Sequence, residues 1–148
     1  MKPSRHIIAS LTLGAALWFL TRSLYAGLLC FASGVLVDVD HIVDYIIQHD
    51  WKSITFKNIY EACEQTVKQK GDLKFKKLYI ILHSAEIALL LWLVTIYTKN
   101  IYLLGITSGY SLHLIMDFVG NPLRFPSLFM LYRSAKRFDT DKLLKKKL

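Results

Sequence analysis

The 148-residue chain is poor in cysteine, proline and acidic residues. Its two cysteines, Cys30 and Cys63, lie in an apolar run and in a Lys-rich segment, so the sequence predicts no disulfide framework and is compatible with a reducing compartment. The sequence contains no nucleotide-binding loop, no Ser or Cys nucleophile motif and no thiolate zinc motif. Nucleotide-dependent and thiol-based chemistry therefore have no support in the sequence.

Hydrophobic residues make up 53% of the chain, and they lie in long runs. Intrinsic disorder needs low hydrophobicity, and a soluble globule usually spaces its apolar residues at amphipathic intervals, so neither class fits. The 19 Lys and Arg residues against 11 Asp and Glu give a net charge of +8. We therefore expect a small membrane protein with one basic side, folded as a single domain over residues 1–148.

The longest apolar run, residues 7–37, contains one charge, Arg22. A single helix of that length would measure about 46 Å, whereas a hydrocarbon core is about 30 Å thick, so we predict two helices with a turn at Arg22. A second turn is predicted at Lys99-Asn100. The predicted fold is an all-α polytopic bundle of about four transmembrane helices, with spans near residues 6–20, 24–47, 78–98 and 101–119.

Small residues within these spans, among them Ala26, Gly34, Gly105 and Gly109, predict close contact between helices. Residues 55–70 and 127–138 instead show amphipathic patterns, which predict surface helices. The first of them lies on the membrane surface or covers the bundle. The second of these leads into the basic tail Lys145–Lys147, which is more typical of binding to anionic lipids than to nucleic acid.

The basic residues also predict an orientation. In a four-span bundle 17 of the 19 Lys and Arg residues lie on one side, which the positive-inside rule assigns to the cytoplasm. We expect a multi-pass protein of the inner (cell) membrane with both termini cytoplasmic. The alternative is a secretory signal peptide at the N-terminus, with Leu24-Tyr25-Ala26 as a poor cleavage site.

Histidine and acidic residues occur where a membrane helix normally excludes them. A charge at mid-membrane costs about 2.5–3.5 kcal/mol, so such residues need partners or a function. Three pairs have helical spacing, namely Asp38/His41, His83/Glu86 and His113/Asp117. In the four-span arrangement all of them, with His6, reach the cytoplasmic end. Eight side chains are therefore candidate metal ligands: His6, Asp38, Asp40, His41, His83, Glu86, His113 and Asp117.

Imidazole and carboxylate ligands without thiolate favour one or two divalent ions of Zn, Mn or Fe. Two other interpretations remain open: a hydrogen-bonded network that fixes helix packing, and a proton or ion path. The outer halves of the four spans carry no charged residue and no histidine, which argues against a path across the bilayer.

The order of these motifs resembles the membrane-bound, metal-dependent hydrolase family, whose bacterial members are also called LexA-binding, inner-membrane-associated hydrolases. The resemblance covers most of residues 6–126. Its most specific parts are the Asp-x-Asp-His at residues 38–41 and the Gly-x-x-x-His-x-x-x-Asp at residues 109–117. By that resemblance the metal ligands are His6, Asp38, His41, His83, His113 and Asp117.

Two positions depart from the family pattern. Val37 stands where the family usually has proline, and one histidine before His83 is missing. Either Glu86 replaces that histidine or a second ion is absent. The resemblance implies a reaction class without a substrate.

The expected activity is attack of a metal-activated water on a phosphoester or another ester at the cytoplasmic face, with a phospholipid as one candidate substrate. Asp40 or Glu86 is expected to act as general base or to orient a ligand histidine. Arg5 and Arg124 are candidates for binding a substrate phosphate. The alternative is a non-catalytic membrane protein in which a structural metal or polar cluster supports a scaffold or regulator.

Overall fold

The computed structural model describes residues 3–145. Over this range the protein is all-α, as predicted, and forms no β-strand beyond two isolated antiparallel bridges. The eight helices are α1 (Pro3–Thr21), α2 (Leu24–Leu36), α3 (Asp40–Gln48), α4 (Phe56–Lys68), α5 (Ala85–Thr98), α6 (Ile101–Gly120), α7 (Met130–Ala135) and α8 (Thr140–Leu143). Short 3-10 turns occupy Val37–Val39, Trp51–Ser53 and Phe125–Leu128.

Two segments are apolar and long enough to cross a membrane, judged by length and composition alone: Leu24–Gln48 and Ile101–Gly120. Helix α5 is apolar but has 14 residues. The sequence predicts a span beginning at Leu78, whereas the helix begins at Ala85. The preceding residues are not helical because their backbone groups bond to distant parts of the chain, and Ile80 has a positive φ of 22°.

The described residues divide into two compact units. Unit 1 comprises residues up to Val37 together with Ala85–Gly120, and unit 2 comprises Asp38–Ser84 together with the residues from Asn121 onward. Both predicted tight turns lie in unit 1. Arg22 and Lys99 adopt left-handed backbone conformations there, and the Asn100 side chain accepts a hydrogen bond from the Tyr102 amide at 2.8 Å.

Helices α1, α2 and α6 of unit 1 pack closely through their small residues. A methyl group added at Gly105 would collide with the Ala26 carbonyl oxygen, and one added at Gly109 would collide with the Cys30 carbonyl oxygen. The prediction of close helix contact at these glycines is confirmed. The same close approach places the backbone of α2 beside the face of α6 that carries His113.

We expect Gly109→Ala to lower the stability of unit 1 by about 1–3 kcal/mol, because the new methyl group meets backbone that cannot rotate away. Gly120→Ala, the same change at the exposed end of the same helix, is the matched control. Thermal unfolding in detergent micelles measures both. Equal midpoints for the two variants would contradict the packing described here.

Unit 2 has its own apolar core, formed by Tyr45, Ala62, Phe75, Leu78, Ile80, Leu143 and Leu144. Helix α4 packs against this core. The Thr55 side chain caps its first turn by accepting from the Asn58 amide at 3.1 Å, and Gln69 ends the helix in a left-handed conformation. The amphipathic helix predicted for residues 55–70 is therefore confirmed.

The single helix predicted for residues 127–138 is interrupted. A 3-10 turn precedes the short α7, and Arg137 and Phe138 follow it with positive φ. An amphipathic helix over these residues would place Arg133 with Lys136 and Arg137 on an exposed basic face, but the Arg133 side chain is buried, with 1% of its surface exposed. Of the predicted tail Lys145–Lys147, only Lys145 lies within the described residues.

Candidate metal centre

Unit 2 brings together Asp38, His41 and His83. Asp38 lies in the 3-10 turn, His41 in the first turn of α3, and His83 in the non-helical segment before α5. The Asp38 Oδ1 atom is 3.6 Å from His41 Nε2 and 3.6 Å from His83 Nε2. Two ligand atoms of one tetrahedral Zn²⁺ ion are separated by about 3.3 Å, given bonds of about 2.0–2.1 Å, so this spacing suits a shared ion.

Asp40 determines which nitrogen of His83 is available. His83 Nδ1 is 3.1 Å from Asp40 Oδ2, and a carboxylate only accepts, so Nδ1 must carry the hydrogen. In a neutral ring Nε2 then carries the lone pair, and this atom lies 3.6 Å from the Asp38 carboxylate. Two acceptors facing each other repel unless a cation lies between them. That cation is either a proton on Nε2 or a metal ion.

Asp40 is itself well positioned for a supporting role. Its Oδ2 also accepts from the Leu82 amide at 2.9 Å, and its buried Oδ1 has no hydrogen-bond partner among the described residues. Asp40, His41 and His83 can each place one ligand atom within 4.8 Å of the others, so this buried group can hold a metal ion. A carboxylate that bonds the outer nitrogen of a ligand histidine is the usual arrangement around protein-bound zinc.

The segment that carries His83 is held in place by a residue far along the chain. The Arg133 guanidinium donates to the Ile80 carbonyl at 2.7 Å and to the His83 carbonyl at 3.1 Å. From α3, the Asp44 carboxylate accepts from the Tyr79 amide at 3.2 Å. Hydrogen bonds to the backbone of Tyr79, Ile80 and His83 therefore hold the segment before α5 in place, although it is neither helix nor strand.

Unit 1 contains a second set of candidate metal ligands, which lies on α1 and α6 and consists of His6, His113 and Asp117. His6 Nε2 is 3.2 Å from Asp117 Oδ1, and His113 Nε2 is 3.5 Å from Asp117 Oδ2. The two imidazole rings stack with centroids 4.3 Å apart. All three side chains are buried, with His113 at 0% exposure. The sequence predicted these three as ligands, and the structure brings them into contact.

An acceptor oxygen beside Nδ1 determines the tautomer of His113, as it does for His83. Its Nδ1 lies 2.8 Å from the Gly34 carbonyl oxygen, an acceptor, so Nδ1 carries the hydrogen and Nε2 faces the Asp117 carboxylate. His6 and His113 thus present two imidazole nitrogens to one carboxylate, and imidazole with carboxylate is a donor set that binds divalent ions.

Other predicted site residues have different surroundings. Glu86 is half-buried in the first turn of α5, and the predicted helical pair His83/Glu86 is wrong because His83 precedes the helix. Arg5 and Arg124 are exposed, and Arg124 Nε donates to the Leu144 carbonyl at 3.2 Å. Sequence reasoning missed the buried position of Arg133, because the pattern groups it with the basic residues Lys136 and Arg137.

Comparisons with known proteins identify no relative. No protein-family model, no curated protein and no solved structure matches this chain. The fold and the site define an all-α protein with two apolar helices of membrane-spanning length and with buried groups of Asp and His that can hold a metal ion.

Proposed function

We propose that this protein is a membrane-embedded metal-dependent hydrolase that acts on a phosphoester or another ester. The observation that carries the proposal is the same in both units. A buried imidazole has its Nδ1–H committed to an acceptor, while its Nε2 faces a carboxylate at 3.5–3.6 Å. A divalent ion shared by the imidazole and the carboxylate would satisfy both acceptors, and metal analysis distinguishes it from a proton on Nε2.

The membrane location is supported by the surface of unit 1. Large apolar side chains on α1 and α5 are turned outward, with Leu20, Leu93 and Tyr97 exposed by 76%, 67% and 90%. Large apolar side chains exposed in such number are typical of a surface that contacts lipid or another protein. The proposal therefore includes the four-span arrangement in the inner membrane, with both termini in the cytoplasm.

The residues divide into roles by their contacts. Asp38, His41 and His83 would hold one ion, and His6, His113 and Asp117 would hold a second. Asp40 would keep His83 in the binding tautomer by accepting its Nδ1–H. A bound Zn²⁺, Mn²⁺ or Fe²⁺ supplies a water whose pKa is lowered to about 7.

The hydrolase class itself comes from the resemblance to the membrane-bound, metal-dependent hydrolase family. Within it, Glu86 is the candidate general base, and Arg5 and Arg124 are candidates for binding a substrate phosphate. A phospholipid substrate fits this arrangement, because its ester group would arrive from the headgroup layer.

One observation favours a second candidate, a non-catalytic protein with a structural ion. His113 is fully buried and Asp117 is 5% exposed, which suits an ion that only holds α1 against α6. Such a protein would act as a scaffold or regulator through its exposed basic surface.

Metal analysis of the full-length protein purified in detergent, followed by assays on soluble and lipid phosphoesters, tests both candidates. We expect one or two equivalents of Zn, Mn or Fe, and hydrolysis that a chelator abolishes and the metal restores.

Asp40→Asn is expected to weaken metal binding about 10–100-fold, because the amide no longer fixes the His83 tautomer. The exposed acid of the same unit, Asp72→Asn, is the control.

The outcomes separate the candidates. A wild-type protein without stoichiometric metal would contradict both. Bound metal with no turnover across the phosphoester panel would reject the hydrolase and support the structural ion.

A further inference from the structure

Unit 2 contains a basic cavity away from the candidate ligands. The cavity has a volume of about 550 Å³, within the range of small-ligand sites, and is lined by Lys74, Lys76, Lys77, Arg137, Asp139, Asp141 and Lys142. Five basic side chains against two acids give its lining a net charge of +3. No residue of the two ligand sets contributes to it.

The two acids are already engaged. Asp141 forms an ion pair with Lys74, and the Asp139 carboxylate lies 3.5 Å from Lys142 while also capping α8 by accepting from the Asp141 amide. Among residues 3–145 neither Lys76 nor Arg137 forms an ion pair. The positive charge of the cavity is thus not neutralised from within unit 2.

The walls of the cavity are ordered by hydrogen bonds. The Gln48 side chain bonds both backbone groups of Lys77, donating to its carbonyl at 2.7 Å and accepting from its amide at 2.9 Å. Lys77 and Asp139 form an antiparallel bridge, and the Thr140 amide donates to the Lys76 carbonyl at 3.1 Å, so the two chain segments of the lining are paired through their backbones.

Arg137 adds a further feature to this wall. It follows the C-terminal end of α7 with a left-handed backbone, φ of 56°, which ends that helix and places Arg137 on the cavity lining. The backbone of the cavity wall is therefore held in place, and it presents basic side chains from two chain segments.

We propose that this cavity binds a phosphate monoester dianion through Lys76, Lys77 and Arg137. Phosphate is the anion that this set suits, because guanidinium bonds phosphate oxygens in a bidentate manner and lysine supplies point charges beside it. Two sources share this chemistry: the headgroup of a lipid such as phosphatidic acid and a soluble phosphate monoester. The proposal does not depend on the metal site or on hydrolase activity.

The test is calorimetric titration of the full chain in a non-ionic detergent. The probes are inorganic phosphate, glycerol 3-phosphate and dihexanoyl phosphatidic acid, with dihexanoyl phosphatidylcholine as the zwitterionic lipid. We expect the double variant Lys77→Gln/Arg137→Gln to bind at least tenfold more weakly. Lys57→Gln/Lys70→Gln, which removes the same charge from exposed positions of unit 2, is expected to stay within twofold of wild type.

Tight binding of phosphatidic acid alone would identify the lipid as the source, and equal binding of glycerol 3-phosphate would identify the phosphate group by itself. Two results would overturn the proposal: no saturable binding of any phosphate probe at low millimolar concentration, or equal weakening in both double variants. Because Lys77 and Arg137 are exposed, thermal unfolding should match wild type in each case. Single variants of Lys76 and Arg137 replace the double variant if it fails to fold.

Discussion

His113→Ala is expected to remove one bound divalent ion per chain, or to weaken its binding by more than 100-fold. The wild-type side chain supplies the Nε2 atom that lies 3.5 Å from Asp117 Oδ2, and an alanine at this position offers no nitrogen in its place. The loss should be visible by elemental analysis of the purified protein and by competition with a chromogenic chelator.

Two further variants make this result interpretable. His49→Ala removes a histidine that belongs to neither set and should leave the metal content unchanged. Asp117→Asn preserves the shape of the buried side chain while removing its charge, so it should lose metal even if His113→Ala does not fold. A His113→Ala protein that keeps the wild-type metal content would rule out the proposed site in unit 1.

The pH dependence of metal retention has a definite sign. Ligand imidazoles bind metal only when neutral, so protons compete with the ion and affinity falls as the pH is lowered from 7 towards 5. The wild-type protein should therefore release metal reversibly over that interval.

Arg133→Met is expected to destabilise unit 2 by about 3–6 kcal/mol. The substitution removes the guanidinium donor to the His83 carbonyl, at a cost of about 1–3 kcal/mol for a buried unsatisfied group. It also removes one of the two donors to the Ile80 carbonyl, the other being the His83 amide, and a hydrogen bond from a charged group contributes about 1.5–3 kcal/mol. Since a domain of this size is stabilised by only about 5–15 kcal/mol, unit 2 should unfold at a much lower temperature.

Arg133→Lys tests whether a positive charge at this position is enough to keep unit 2 stable. A lysine keeps the charge but cannot donate along two directions of a rigid fork, so we expect an intermediate loss of stability and a metal affinity reduced about tenfold through His83. The exposed neighbour Lys136→Met is the control, with an expected change below about 0.5 kcal/mol. Wild-type stability in Arg133→Met would show that the segment before α5 is held by other contacts.

The parts of the fold that follow from local chemistry were predictable from the sequence. The turn at Arg22, the turn at Lys99-Asn100 and the amphipathic α4 are set by charge, capping and periodicity within a few residues. The pair His113/Asp117 was predictable for the same reason, because four residues on a helix bring two side chains onto one face.

The parts that depend on distant residues were not predictable. Residues 78–84 have an apolar pattern that favours a helix, yet tertiary hydrogen bonds from Asp40, Asp44 and Arg133 hold them in another conformation. The periodicity of apolar residues reflects only contacts between residues that are close in the sequence. Hence the pattern located His83 as a candidate ligand but misidentified its secondary structure and the residues that fix it.

This arrangement around His83 has a consequence for biosynthesis. The carboxylate of Asp40 and the guanidinium of Arg133 reach the same short segment, although 92 residues separate them in the chain. A nascent chain emerging from the ribosome would already contain every candidate ligand by Asp117, yet His83 would lack its last support until α7 had been made. We expect metal loading of unit 2 to be the final event of its maturation, and chains truncated before Arg133 to carry the ligands without retaining the ion there.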